Sequence, residues 1–209
     1  MMWLILLPLT GILGSSEGIL PATCTYADWT WNSRERRPVD VREVEKPYSA
    51  LTDDERDAVT GCSLCREDQV EIALPGLEPF QVCKVVADDL ETALRRTIEA
   101  GFQVETVTGY RVGRSKGVLD AQGRRTEYSN HSFGLAIDVN ADRNGLYDRC
   151  TEFSGACRLI RGGEWRPGEP GGITPETPLY EEMTAIGWKW GGELPGRQKD
   201  FMHFSPSGD

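Results

Sequence analysis

The chain of 209 residues has two histidines, His131 and His203, and each stands in a short segment that also carries a carboxylate. The first segment reads Ser129-Asn-His131-Ser-Phe-Gly134-Leu-Ala136-Ile-Asp138, and the second reads Asp200-Phe-Met-His203. Zinc accepts imidazole nitrogen and carboxylate oxygen, and a catalytic zinc site uses three protein ligands with a fourth position left to water. His131, Asp138 and His203 supply that count. Asp200 is left over, as a carboxylate that can take a proton from a metal-activated water and pass one to a leaving amine. With both imidazoles spent on the metal, the proton work falls to a carboxylate, and the chemistry is metal-assisted hydrolysis.

Geometry places two demands on this set. If residues 133–140 form a strand, His131 stands at its entrance and Asp138 near its far end, so a bend must bring both onto one ion, and Gly134 is placed to allow it. Asp200 and His203 are three apart and point to opposite faces of an extended segment, so the chain must kink for Asp200 to approach the metal. Glu193 is a competing carboxylate for the proton work.

Other chemistries fit less well. Gly113-Arg-Ser115-Lys-Gly117 has the form of a nucleophile elbow, but the residues after it lack the apolar face of the helix that motif requires. Asn140-Ala-Asp142-Arg-Asn144-Gly145 resembles half of a calcium loop, yet the twelfth position is Thr151 instead of Glu, and a turn is expected. Neither H-E-x-x-H nor S-x-x-K is present.

The pattern S-x-H-x-x-G-x-A-x-D, followed far downstream by D-x-x-H-F, resembles that of the zinc D-alanyl-D-alanine carboxypeptidases and the related L-alanyl-D-glutamate peptidases of phage endolysins and bacterial walls, which share the hedgehog/DD-peptidase fold. Gly109-Tyr110-Arg111 is similar to the family's GYR segment. Asn140 to Tyr147 is similar to its N-P-x-x-N-P-Y loop, with Ala141 and Gly145 in place of the prolines, and Gly187 to Gly192 to its GWxWGG segment. The likeness spans roughly residues 85 to 205. It implies His131, Asp138 and His203 as zinc ligands, Asp200 as base, where many relatives carry Glu, and Arg111 as a group that binds substrate or steadies the oxyanion, with a structural salt-bridge partner as the alternative for Arg111. Tyr110, Ser129 and Trp190, which lie in these segments, are the candidates for substrate contact, and Trp188 and Trp190 also read as core or cleft wall. The implied substrate is an amide bond in peptidoglycan stem peptides, with a D,D-carboxypeptidase reading first. An L-alanyl-D-glutamate-type endopeptidase and a non-catalytic, zinc-stabilised wall-binding or signalling module are the alternatives.

The elements that must hold these residues are α+β in pattern, a small antiparallel sheet with helices packed on one side and the zinc site in the cleft. Residues 17 to about 50 read as an irregular covering arm. Thr52 with Glu55 has capping-box spacing and opens a short helix through Val59. Val70, Ile72 and Leu74 alternate as a strand, with a second near Phe80 and Val82. A helix is expected from about Asp88 to Ala100, with Leu90, Leu94 and Ile98 on one face and Gly101 as its stop. Strands are expected at Phe102 to Tyr110, Phe133 to Asn140 and Phe201 to Phe204, and a helix at Pro178 to Ile186.

Composition fits one domain with an N-terminal extension: 39% apolar residues, with 23 Gly and 12 Pro that call for many turns. The run Trp3 to Gly14 is uncharged, apolar and too short to span a membrane, so residues 1–16 read as a signal peptide, with an uncleaved N-terminal anchor as the alternative. Residues 17–84 then form an extension with a Cys-rich segment, and 85–209 the peptidase domain. Export favours disulfides among Cys24, Cys62, Cys65, Cys83, Cys150 and Cys157, with Cys150 and Cys157 the best single pair. A four-thiolate zinc site from the other four is the alternative. A net charge of −10 argues against nucleic acid and against general binding to anionic membrane surfaces. Between Arg111 and Tyr128, however, five basic residues face two acidic ones, a local +3 that suits a substrate bearing carboxylates or else a solvated loop.

Overall fold

The computed structural model describes residues 20–208, so the expected leader at 1–16 lies outside the described residues. The arm expected to be irregular is a long antiparallel hairpin of β1 (Thr23–Asn32) and β2 (Arg37–Pro47). Its inward face carries Cys24, Tyr26 and Asp28, all buried. A charged residue on that face breaks the apolar alternation by which a strand is recognised. The Thr52/Glu55 capping box forms, but the helix stops after one 3-10 turn at Asp53–Glu55. Val59, at its expected far end, is exposed and offers no apolar face to continue on.

The two expected strands, β3 (Gln69–Ile72) and β4 (Phe80–Cys83), pair as an antiparallel hairpin. The first long helix is α1 (Ala87–Glu99), with Leu90 and Leu94 fully buried, whereas Ile98, expected on the same face, is exposed at the last turn. The strand expected over Phe102 to Tyr110 shrinks to β5 (Val107–Thr108). The amides of Glu105 and Thr106 are taken by Asn140 Oδ1 at 2.7 and 3.1 Å, so no strand partner is available to them. β6 (Arg114–Leu119) and β7 (Arg125–Tyr128) form a hairpin joined to β1 through a parallel contact, giving a sheet ordered β2-β1-β6-β7.

A second four-stranded sheet, ordered β11-β13-β8-β5, carries the candidate ligands. It is antiparallel throughout and comprises β5, β8 (Ile137–Val139), β11 (Lys189–Trp190) and β13 (His203–Ser205). A third, three-stranded sheet is ordered β10-β9-β12, from β9 (Leu146–Asp148), β10 (Arg158–Arg161) and β12 (Lys199–Asp200). The single small sheet read from the sequence is thus several, and the α+β class stands. α2 (Pro178–Ala185) packs on α1 and on β11. Leu90, Leu94, Ile137, Leu179, Met183 and Phe204 bury fully in the shared core, each contributing about 1.5–3 kcal/mol. Ile72, Leu74, Phe80 and Val82 from the β3–β4 hairpin belong to the same core.

All six cysteines are bonded, Cys24–Cys65, Cys62–Cys83 and Cys150–Cys157, which removes the four-thiolate zinc alternative. The first two bridges tie β1 and β4 to the intervening loop. Three disulfides fit an extracytoplasmic protein, and no helix among the described residues is long and apolar enough to cross a membrane.

Candidate metal centre

His131 sits in a 3-10 turn, Asn130–Phe133, that Gly134 ends with φ 67° and ψ 25°. That left-handed step favours glycine, and it is the bend the motif demands between His131 and the strand carrying Asp138. The expected strand from Phe133 accordingly begins only at Ile137. Asp138 is the middle residue of β8, and His203, the first residue of β13, is its direct cross-strand partner. Directly opposed residues project to the same face, so this register alone brings the two side chains together.

The three side chains converge on one point. His131 Nε2 lies 3.0 Å and His203 Nδ1 3.1 Å from Asp138 Oδ1. Their donor atoms all fall within 4.8 Å of one another, and all three residues are buried. The hydrogen bonding around them is incomplete without a cation. His131 Nδ1 donates to the Gly109 carbonyl at 2.8 Å, and burial holds its imidazole down at about 4, so it is neutral near pH 7. Its Nε2 lone pair therefore faces the carboxylate of Asp138, acceptor against acceptor. Burial would raise the Asp138 carboxyl, yet its charged and hydrogen-bonding neighbours hold it well below the ordinary carboxylate range. His203 Nε2 is buried without a partner. Two imidazole nitrogens and one carboxylate oxygen at such spacing are a donor set suited to a divalent metal.

Arg111 faces the centre from the other side. Its Nη2 is 3.0 Å from Asp138 Oδ2, leaving Oδ1 to face the imidazoles, and its backbone N–H bonds the His131 carbonyl at 3.1 Å. Arg111 thereby orients the carboxylate as a salt-bridge partner.

Asp200 ends β12, which pairs with β9, whereas His203 opens β13, which pairs with β8. The turn at Phe201 and Met202 between the two sheets is the kink that Asp200 needed. Asp200 Oδ1 is shielded from solvent without a hydrogen-bond partner. Burial pushes its carboxyl up to about 6, with the Asp138 charge adding and His203 and Arg161 opposing. Gly191 closes the packing behind both: a Cβ there would stand 2.4 Å from the Asp200 carbonyl oxygen, 3.0 Å from Asp200 Cβ and 3.2 Å from His203 Cβ.

Residues 122–206 match the family model described as D-alanyl-D-alanine carboxypeptidase. The match contains His131, Asp138, Asp200 and His203, and it supports the peptidase family that the motifs resemble. No curated protein and no solved structure matches the chain.

The remaining candidate residues fall elsewhere. Trp190 is buried in the core, with its indole N–H donating to the Phe201 carbonyl at 2.8 Å. Trp188 is buried with it. The Tyr110 hydroxyl donates to the Leu64 carbonyl, and its ring packs on the N-terminal cluster. Ser129 is buried at the start of the His131 turn, its carbonyl accepting from Ser132 N–H, and its hydroxyl has no partner. Glu193 accepts from the Tyr180 hydroxyl at 3.0 Å. The basic segment is largely spent internally, since Arg114 pairs with Asp54, Arg124 with Asp120 and Asp40, and Arg125 donates to the Gly117 carbonyl. The Asn140 to Asn144 stretch is a turn, both asparagines being buried and bonded to neighbouring backbone. Two residues near the centre were missed, Gly191 and Arg161. Gly191 carries a sequence signal, the GWxWGG segment; Arg161 carries none.

Proposed function

We propose that the protein is a secreted, zinc-dependent peptidase that hydrolyses an amide bond in peptidoglycan stem peptides in the manner of a D,D-carboxypeptidase, with residues 85–209 as its peptidase unit and 17–84 as an extension. The carrying observation is the convergence of His131 Nε2, Asp138 Oδ1 and His203 Nδ1, with the Asp200 carboxyl beside them held up at about 6. Zinc bound to those three atoms supplies the Lewis acidity that activates water and polarises the scissile carbonyl. Asp200 takes a proton at a carboxylate oxygen and returns it to the leaving amine, a task suited to a carboxyl raised toward neutrality. Arg111 holds Asp138 ionised and turned so that Oδ1 stays free for the metal.

Product identification on purified pentapeptide stems, with and without chelator, tests the reading. Tetrapeptide plus free D-alanine, lost on chelation, is the expected result. Internal fragments replace it with an endopeptidase, and a folded, zinc-loaded protein inert on every stem peptide replaces it with a binding module.

A further inference from the structure

Arg161 is the guanidinium near the metal centre that the reading above leaves without a task. Its Nη2 stands 3.8 Å from Asp138 Oδ2, beyond hydrogen-bond range, on an oxygen already held by Arg111 at 3.0 Å. Its side chain is 52% exposed, against 24% for Arg111. Arg161 thus stands between the buried centre and solvent, close enough to Asp200 and Arg111 for its charge to bear on both.

The third sheet sets its place relative to Asp200. Leu146, in the central strand β9, pairs with Arg161 on one side and with Asp200 on the other, so the two lie in one row. Two strand spacings separate them, about 10 Å between backbones. A bulge in β10 between Leu159 and Arg161 re-aims the strand at that point, a device common beside functional sites.

The backbone that presents Arg161 is held from two sides. The tip of the β9–β10 hairpin is closed by Cys150–Cys157. Its return strand lies tight on the turn that follows β8: the Gly163 N–H bonds the Ala141 carbonyl at 2.9 Å, and a Cβ on Gly163 would stand 1.8 Å from the Asp142 carbonyl oxygen. A Cβ on Gly145 would stand 2.2 Å from the Gly163 carbonyl oxygen and 2.9 Å from that of Arg161. Gly145 is one of the two positions where the related loop carries proline. The departure from the pattern is what admits the hairpin.

We propose that Arg161 binds the free α-carboxylate of the substrate peptide, one residue beyond the scissile bond, and so makes the enzyme selective for peptides cut at their C-terminal residue. This deepens the carboxypeptidase reading and rests on it. A guanidinium at the rim of the centre, 3.8 Å from Asp138 Oδ2, lies within reach of a single terminal residue, whereas an internal bond offers it no carboxylate. The planar fork matches a carboxylate through two parallel hydrogen bonds.

Equilibrium binding separates this inference from the reading it rests on, because it needs no turnover. Acetyl-D-alanyl-D-alanine and its C-terminal amide are titrated by calorimetry into the zinc-loaded full chain carrying Asp200→Asn. The acid is expected to bind about 10- to 100-fold tighter than the amide, as a hydrogen-bonded charge partner implies. Adding Arg161→Ala is expected to bring that ratio close to 1, and Arg161→Lys to restore part of it. Zinc content and melting temperature are measured for each variant, so that a folding defect is seen as such. An acid-to-amide ratio unchanged by Arg161→Ala, or equal affinities before it, overturns the proposal. Selective binding of the acid with no hydrolysis by the wild-type chain on any stem peptide overturns the peptidase reading and keeps the carboxylate site.

Discussion

His203 stands directly across the β8–β13 pair from Asp138, with its Nδ1 3.1 Å from the same Oδ1 that His131 Nε2 approaches at 3.0 Å. Two of the proposed ligands come from one rung of an antiparallel sheet, and the third from a turn ended by Gly134. Strand pairing fixes the first two without loop ordering, so the centre is preorganised by the register that builds the sheet.

The first expected outcome concerns the metal. Elemental analysis of the purified chain should give one zinc per molecule, and His131→Ala or His203→Ala should lose it. Arg111→Ala keeps all three ligands but frees Asp138 Oδ2, and loss of such an outer partner costs about 10- to 100-fold in metal affinity. Competition with a chromogenic chelator measures this. Equal zinc affinity in wild type and Arg111→Ala would remove Arg111 from its orienting role.

Asp200 gives the pH dependence. The carboxyl must be ionised to accept a proton, and its pKa is raised to about 6 in the metal-free fold. A bound cation lowers that value, so the acid limb of kcat/KM should lie at or below about 6. Asp200→Asn should keep zinc and lower kcat by about 10²- to 10⁴-fold, with the acid limb gone. The stability linkage runs the opposite way from that of an ion-paired acid. A carboxyl whose folded pKa exceeds its unfolded value stabilises the fold at low pH, and that stability is lost as pH rises through about 4 to 6. Chelated Asp200→Asn should therefore melt at or above the wild-type temperature at pH 7, and a clear drop there would count against a buried, unpaired Asp200.

Gly191 is the packing partner that both Asp200 and His203 require. In Gly191→Ala the new methyl meets the Asp200 carbonyl oxygen at 2.4 Å, and backbone cannot swing aside as a flexible side chain does. Overpacking of this kind costs about 1–3 kcal/mol, and here the displacement falls on the base and a ligand together. Lower kcat with weaker zinc binding is expected. Gly155→Ala, whose Cβ meets nothing within 4 Å, is the control. Equal behaviour of the two variants would show that the close approach is without consequence.

Local chemistry in the sequence was enough to pick out the cluster of His131, Asp138 and His203, because His131 and Asp138 lie seven residues apart and the bend between them is marked by a glycine. The kink before His203 was legible for the same reason. What escaped depended on partners distant in sequence. Nothing near Arg111 announces Asp138 Oδ2 as its partner, and nothing near Arg161 announces a bulge that puts it in one row with Leu146 and Asp200. The β1–β2 hairpin was hidden by Asp28, a buried charge whose salt bridge to Arg42 is made across the hairpin itself. The expected strand over Phe102 to Tyr110 was cut short by one side chain, Asn140, competing for the backbone amides.

Glu55 links the N-terminal hairpin to the chain that follows it, and its ionisation should set the acid limit of the fold. Its carboxylate accepts from the Tyr26 hydroxyl at 2.6 Å and from Thr52 N–H and Oγ1 at 2.9 Å each, and it pairs with Lys46. Burial would raise this carboxyl, but Lys46, Tyr26 and Thr52 together bring it down to about 2 from an ordinary 4.5. A depressed folded pKa contributes stability that is fully present above the unfolded value and is lost as pH falls toward the folded one. The melting temperature of the wild-type chain should therefore decline between about pH 4.5 and 2 as the unfolded chain takes up a proton the folded one resists. Glu55→Gln cannot ionise, and its amide offers Lys46 no charge. It should melt lower than wild type at pH 7, with a shallower decline below pH 4.5, so that the two curves converge in acid. Calorimetry across that range decides it: parallel curves would mean that the acid sensitivity arises from other carboxylates, such as Asp68 with its bonds to Tyr48, Ser63 and Lys84.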